Sequence, residues 1–253
     1  MTGRVAIVGL GPGPACWITP EASSEIEAAS DVVGYAAYVE RLALRPDQRA
    51  HASDNRVELD RARLALTLAA EGHAVAVVSG GDPGVFAMAA ALFEAIEEKP
   101  QWRALDVAVA PGVTAMQAAA ARLGAPLGHD FCAISLSDNL KRWAIVERRL
   151  KAAAEGDFVI ALYNPASKAR SSRIFEAFDL LRNVRSAATP VAFARAVGRP
   201  DEKLTITTLG AADVSLVDMA TLVIVGSSET RLIAREGGRA PWMLTPRSYG
   251  AAR

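Results

Sequence analysis

The sequence has little with which to cross-link itself. Its 253 residues include two cysteines, Cys16 and Cys132, far apart and in no CxxC pair. That excludes a disulfide scaffold and a cysteine-based zinc module, and no metal is expected. An excess of charge of either sign is also missing. Twenty-eight basic residues balance 28 acidic ones. Bulk nucleic-acid binding draws on a basic surplus, so no nucleic-acid partner is expected. No apolar run is long enough to span a bilayer, and no membrane partner is expected. The start, Met1-Thr2-Gly3-Arg4, leads straight into an apolar run at residues 5–8 without the h-region of a secretory signal. A cytoplasmic location is the resulting expectation. What the chain does have is apolar residues, 51% of the total. That content and length suit a globular protein of one large or two medium domains.

Short apolar, β-branched runs alternate with helical patterns. Strands are expected at residues 5–8, 32–34, 74–78, 106–110, 131–136, 158–162, 191–194, 204–208 and 221–225. Helices are expected at 20–29, 58–71, 85–97, 114–123, 144–154 and 171–181, with a further short one at 211–213. Thr19 before Pro20 is an N-cap followed by a first-turn proline. This alternation reads as an α/β fold with mainly parallel sheets. The stretch from Leu123 to Asp130, with two glycines and a proline, has linker composition. The expected division is an N-terminal α/β domain at 1–112, a helix and linker at 113–130, and a C-terminal α/β domain at 131–253. The tail after Gly237 reads as irregular.

Irregular loops follow several of these strands. Ser79-Gly80-Gly81-Asp82-Pro83-Gly84-Val85-Phe86 leaves the carboxyl end of the third strand, the edge at which open α/β sheets bind ligands. Its fixed anion suits a ribose hydroxyl or a cationic ligand better than a phosphate. A tight turn needing backbone freedom explains the same residues equally well. Val8-Gly9-Leu10-Gly11-Pro12-Gly13-Pro14 follows the first strand. It departs from the dinucleotide fingerprint GxGxxG, because the third glycine is missing and two prolines delay the helix. The acid expected at the end of the second strand is absent too; Asp31 precedes that strand. Ala110-Pro111-Gly112-Val113-Thr114-Ala115 and Ala161-Leu162-Tyr163-Asn164-Pro165-Ala166 close two more strands. There Thr114 could cap a helix and Asn164 could simply turn the chain.

In order and spacing, these motifs resemble the tetrapyrrole methylase family, S-adenosylmethionine-dependent methyltransferases of cobalamin and sirohaem synthesis. The resemblance covers nearly the whole chain. Within the family, five segments resemble the enzymes that methylate carbon 17 of precorrin-3B and contract the ring to precorrin-4. They are Val33-Gly34-Tyr35-Ala36-Ala37-Tyr38, Leu127-Gly128-His129-Asp130-Phe131, Ile134-Ser135-Leu136-Ser137-Asp138, Tyr163-Asn164-Pro165-Ala166-Ser167 and Val197-Gly198-Arg199. The resemblance implies a homodimer of two-domain α/β chains, with S-adenosylmethionine in the interdomain cleft. It places Pro12, Gly80, Gly81, Asp82, Val85, Thr114 and Ala115 beside the cofactor, with Asn164, Ala196 and Val197 closing its far side. A sulfonium cofactor carries no phosphate, which agrees with the lack of a P-loop.

Methyl transfer draws mainly on positioning, but ring contraction moves protons. His51 and His73 read as structural. His129, followed by Asp130, is the acid–base candidate, with a locally satisfied linker histidine as the other reading. A polycarboxylate substrate calls for cations, and Lys141, Arg142, Lys168, Arg170, Arg195 and Arg199 are the candidates. The alternatives are a methylase for another ring carbon, a counterpart acting on the cobalt-bearing ring, a nicotinamide-dependent oxidoreductase, or a tetrapyrrole carrier.

Overall fold

The computed structural model describes residues 3–54, 57–166 and 172–249. The chain divides into two compact units, Met1–Ala115 and Met116–Arg253.

The first unit is an open parallel sheet. Its elements are β1 (Arg4–Gly9), α1 (Pro20–Ala28), β2 (Asp31–Tyr35), α2 (Ala36–Val39), β3 (Arg49–Ser53), α3 (Glu58–Ala70), β4 (Ala74–Ser79), α4 (Met88–Glu98) and β5 (Asp106–Ala110). The strands lie in the order β3-β2-β4-β1-β5, all paired in parallel. Side chains alternate across a strand, and here both faces are covered. Val5, Ile7, Val75 and Val77 pack against α3 and α4 through Leu66, Ala69 and Leu92. Ala6, Val8, Ala76 and Val78 pack on the other face with Ala22, Ile26 and Val39 of α1 and α2. Thr19 caps α1, its hydroxyl accepting from the Ala22 N–H at 3.2 Å.

Two features of this unit depart from the sequence reading. The fourth helix begins at Met88 rather than Val85, because Phe86 adopts φ +53°, outside the right-handed helical region. The strand Arg49–Ser53 has no apolar alternation. It is an edge strand pairing only with β2, and polar contacts help hold it there. Arg49 Nε lies 3.1 Å and His51 Nε2 2.8 Å from Oδ1 of the fully buried Asp31, and His73 Nδ1 lies 2.7 Å from its Oδ2.

The second unit continues with α5 (Ala115–Leu123), β6 (Gly124–Ala125), β7 (Phe131–Ser135), α6 (Trp143–Glu155), β8 (Val159–Tyr163), α7 (Arg173–Val184), β9 (Pro190–Arg195), β10 (Lys203–Thr208), β11 (Thr221–Val225), β12 (Arg231–Ile233) and β13 (Trp242–Leu244). Its main sheet runs β10-β9-β11-β8-β7. Here the expectation of mainly parallel pairing is corrected: only β7 and β8 pair in parallel, and the three other pairs are antiparallel. The physical reason lies in the connections. Helices α6 and α7 carry β7, β8 and β9 in one direction, as the alternation implies. The short loop after β9 contains no helix and simply reverses the chain into β10. β11 then inserts, reversed, between β8 and β9. The helix expected at 211–213 is absent; a 3₁₀ turn at Val214–Leu216 follows, with the Asp213 carboxylate accepting from the Ser215 N–H.

Leu150, Ile160, Leu162, Ile174, Phe178, Leu181 and Phe193 form the core of this unit. Buried Arg185 donates to the carbonyls of Ala153, Ala154, Phe158 and Gly226. It thereby gives the Ala153 and Ala154 carbonyls, which already accept from the Phe158 and Asp157 N–H groups, a second donor at the carboxyl end of α6. A small third sheet, β12-β13-β6, corrects two further expectations. The tail after Gly237 is not wholly irregular, since Trp242–Leu244 forms a strand, and the linker contributes the strand Gly124–Ala125. Both strands are too short to show a period in sequence.

Candidate functional site

In the first unit β1 lies between β4 and β5, and all three strands end at the same edge of the sheet. Their loops interlock there through glycines. The Leu10 N–H donates to the Ser79 carbonyl at 2.9 Å, and the Gly11 N–H to the Gly81 carbonyl at 3.1 Å. Gly11 and Gly81 stand at φ +63° and +71°, where any side chain is strained. Gly9 and Gly112 are glycines for a different reason. A Cβ on Gly9 would lie 2.7 Å from the Gly112 Cα, and a Cβ on Gly112 would lie 2.4 Å from the Gly81 carbonyl oxygen. The result is a cradle whose surface is largely main chain.

Asp82 ties this cradle together. Its Oδ1 accepts from the Gly84 N–H at 2.8 Å and its Oδ2 from the Gly112 N–H at 3.0 Å. One carboxylate thus closes its own loop and fastens it to the loop after β5. Each oxygen still has a second lone-pair direction for a ligand donor. Val85 is partly buried, Thr114 is buried, and Ala115 opens α5. Pro12 is partly buried within the β1 loop.

Two residues at this edge are not among the expected site residues, though Tyr38 ends one of the segments that carry the resemblance. The Tyr38 ring occupies the space where a Cβ on Gly80 would be, 2.6 Å from its Cζ. Arg41 follows α2 and donates to the carbonyls of Leu10, Gly11 and Gly13. An arginine on an exposed turn reads as a solvated charge, and only the fold brings it to the loop.

The opposite edge of the same sheet holds the histidines read as structural. His51 and His73 both contact Asp31 at the amino end of β2. Burial pushes the Asp31 carboxyl up. Hydrogen bonds from His51, His73 and Ser30 and the charge of Arg49 outweigh that and hold it well below the usual carboxylate range.

In the second unit, two non-glycine residues occupy the left-handed region at the ends of strands that run the same way. They are Asn164 after β8 and Ala196 after β9, both at φ +50°. Asn164 Nδ2 donates to Ser135 Oγ at 3.1 Å. Ala196 and Val197 are buried, and the next amide, Gly198 N–H, donates to Glu202 at 2.6 Å. Strain of this kind collects at functional sites. The Tyr163 hydroxyl accepts from the Met116 N–H at 3.0 Å, at the start of α5.

The candidate cations fare differently from one another. Arg195 is already paired, with Asp218 at 2.8 Å and Asp201 at 2.6 Å. Lys141 is partly buried, and burial together with nearby Arg149 pushes its ammonium down. Arg142 and Arg199 are exposed. Lys168 and Arg170 lie outside the described residues. His129 has both ring nitrogens buried, with no hydrogen-bond partner among the described residues. Its ring packs on Tyr249, centroid to centroid 4.9 Å. The side chain of Asp130 has no such cover; the residue is exposed.

Comparison with known proteins adds to this geometry. A family model described as Tetrapyrrole (Corrin/Porphyrin) Methylases matches residues 4–213. A Sinorhizobium protein named Precorrin-3B C(17)-methyltransferase is 58% identical over 253 residues, covering 100% of this chain and 99% of its own. A Salmonella typhimurium protein named Probable cobalt-factor III C(17)-methyltransferase is 42% identical, over 97% of this chain and 99% of its own. Among solved structures, the methyltransferase CobJ superposes with a TM-score of 0.92 at 49% identity. That match covers 96% of this chain and 100% of the other.

Proposed function

Since the chain belongs to the tetrapyrrole (corrin/porphyrin) methylase family, we propose that it methylates carbon 17 of precorrin-3B and contracts the ring to precorrin-4. The observation that carries this reading is the glycine cradle at the ends of β1, β4 and β5. It offers main-chain groups and one carboxylate and has no lysine in the motif, which suits a cofactor with hydroxyl and ammonium donors and no phosphate. Pro12, Gly80, Gly81, Asp82, Val85, Thr114 and Ala115 are the residues that would hold it. In the second unit, the loops bearing Asn164, Ala196 and Val197 are proposed as ligand loops. When bound, S-adenosylmethionine supplies an electrophilic sulfonium methyl group. The protein's part is to hold the acceptor carbon in line and exclude water.

The proton transfers of contraction are assigned to His129 with Asp130. The buried ring nitrogens of His129 have no hydrogen-bond partner among the described residues, so no internal bond holds them, and the substrate must displace their cover to reach them. Arg142, Arg199, Lys141, Lys168 and Arg170 are proposed for the substrate carboxylates. Arg195 stays on that list as a group that must first exchange its aspartates. A homodimer in the cytoplasm is the proposed setting. Among the described residues no helix is long and apolar enough to cross a membrane. A ring without cobalt is the preferred substrate, because identity to the Sinorhizobium relative exceeds that to the Salmonella one.

A nicotinamide oxidoreductase is disfavoured by the position of Asp31. The ribose of a dinucleotide is held at the carboxyl end of the second strand, whereas Asp31 begins β2 and is buried under His51, His73 and Arg49. Calorimetric titration with S-adenosylhomocysteine and with NAD tests the reading. Saturable binding of the first alone is the expected result, and binding of NAD alone contradicts it.

A further inference from the structure

The loop after β1 poses a mechanical problem. It carries Pro12 into the proposed cofactor site, and its far end is tied by the Trp17 N–H on the Pro14 carbonyl at 3.0 Å, but the stretch between needs its carbonyls held. Pro12 and Pro14 have no N–H to donate. The N–H groups of Leu10 and Gly11 are spent on the β4 loop. Glycines at positions 11 and 13 leave the backbone conformationally free. Unsupported, such a loop would have to be ordered by its ligand, at the ligand's expense in affinity.

The guanidinium of Arg41 supplies the support. Nη1 donates to the Gly11 carbonyl at 3.2 Å. Nη2 reaches Leu10 at 3.2 Å, Gly11 at 3.3 Å and Gly13 at 2.7 Å. Three carbonyls flanking Pro12, those of Leu10, Gly11 and Gly13, are therefore gathered on one planar fork. The fork itself is set by α2, with the Arg41 N–H bonded to the Tyr38 carbonyl at 3.2 Å. Tyr38, on the same turn, packs against Gly80 of the neighbouring loop. One short segment thus braces both loops of the cradle. A lysine would substitute only in part, because its ammonium is a compact point charge rather than a rigid fork.

We propose that Arg41 is a positioning residue for the cofactor. It pre-forms the 10–13 stretch so that binding does not have to order it. Arg41 touches no reacting atom in this proposal and acts through the loop. Arg41 is exposed as a residue and its shortest bond, to Gly13, is exposed, but Leu10 and Gly11 are buried and their bonds to Arg41 are part-buried, so its loss carries some cost in stability as well. Because the loop it braces carries Pro12, affinity should suffer more than stability. The proposal rests on reading this edge as the cofactor site.

The test uses the full-length protein, titrated calorimetrically with S-adenosylhomocysteine, and compares Arg41→Ala and Arg41→Lys with the parent. Steady-state assays give separate KM values for cofactor and tetrapyrrole. Arg41→Ala is expected to raise the Kd about tenfold, a change of ~1.4 kcal/mol. The cofactor KM should rise with it, with a smaller effect on kcat and on the tetrapyrrole KM. Arg41→Lys should fall between the two. An unchanged Kd in Arg41→Ala overturns the proposal. So does a rise confined to the tetrapyrrole KM, which would make Arg41 a substrate contact. Equal loss of affinity and of melting temperature in both variants would make the residue merely structural and also overturns it. Should Arg41→Ala not fold, Arg41→Gln, which keeps two donors, is judged by the same criteria. Failure of the parent itself to bind S-adenosylhomocysteine overturns the cofactor reading before any variant is measured, and the role of Arg41 with it.

Discussion

At Asp31 a serine hydroxyl, two imidazoles and a guanidinium converge on one buried carboxylate. Its folded pKa is depressed below the unfolded value of about 4. Its contribution to stability is therefore fully present above that pH and is lost as the pH falls toward the folded value. Urea midpoints should fall on acidification below about pH 5, and Asp31→Asn should flatten that fall. At neutral pH the variant should be less stable by about 2 kcal/mol, the scale for disturbing a buried charge-assisted network. Parallel pH curves for the two proteins would refute the linkage. This cluster shows the reach of the sequence at the residue scale. The histidines read as structural from an expected place on or near helix-flanking surface, whereas His51 lies in β3 and both meet the buried Asp31. Their shared partner stayed hidden, since residues 31, 51 and 73 meet only when three strands align. Arg41 was illegible for the same reason. Asp82 could be read as a loop carboxylate, but its grip on the Gly112 amide comes from the fold.

At the scale of elements, every expected strand is present: β1, β2, β4, β8, β9 and β11 are apolar and largely buried, and β5, β7 and the threonine-rich β10, at the sheet edges, are β-branched or apolar enough to be read although partly exposed. The elements that escaped notice are polar or very short. β3 is held at the sheet edge with the help of ion pairs, and β6, β12 and β13 span two or three residues each. Strand direction in the second unit is not legible in the sequence, since alternation of strand and helix does not say that β11 inserts backwards between β8 and β9. The glycine motifs were legible as loops but not as one interlocked cradle. That interlocking has a measurable consequence. In Gly112→Ala the new methyl carbon would sit 2.4 Å from a backbone oxygen and 2.8 Å from the Gly9 Cα, neither of which is the tip of a flexible side chain. Stability should drop by at least ~1–3 kcal/mol, and S-adenosylhomocysteine affinity should drop with it. Gly237→Ala is the control: it carries backbone strain at φ +70° but has nothing within 4 Å, so its cofactor affinity should match the parent's. A Gly112→Ala protein that melts and binds normally would show that the three loops are not coupled.

At the scale of the whole molecule, two units with different sheets serve one proposed reaction. The first is a parallel sheet that gathers its loops at one edge. The second is a mixed sheet that holds two strained residues at the ends of parallel-running strands. Carbon–carbon bond formation and ring contraction make separate demands on them, one for placement and one for proton movement. The same assay can see both. Incubation with methyl-labelled S-adenosylmethionine and precorrin-3B, followed by mass and NMR analysis, reports where the methyl lands and whether the ring has lost a carbon from its circumference. His129→Ala in this assay should accumulate a methylated, uncontracted ring, with contraction slowed ~10²–10⁴-fold. For the unaltered protein the expected product is a contracted ring, labelled at carbon 17 and formed without cobalt. A label at any other ring carbon, or turnover only when the ring carries cobalt, would contradict the central claim.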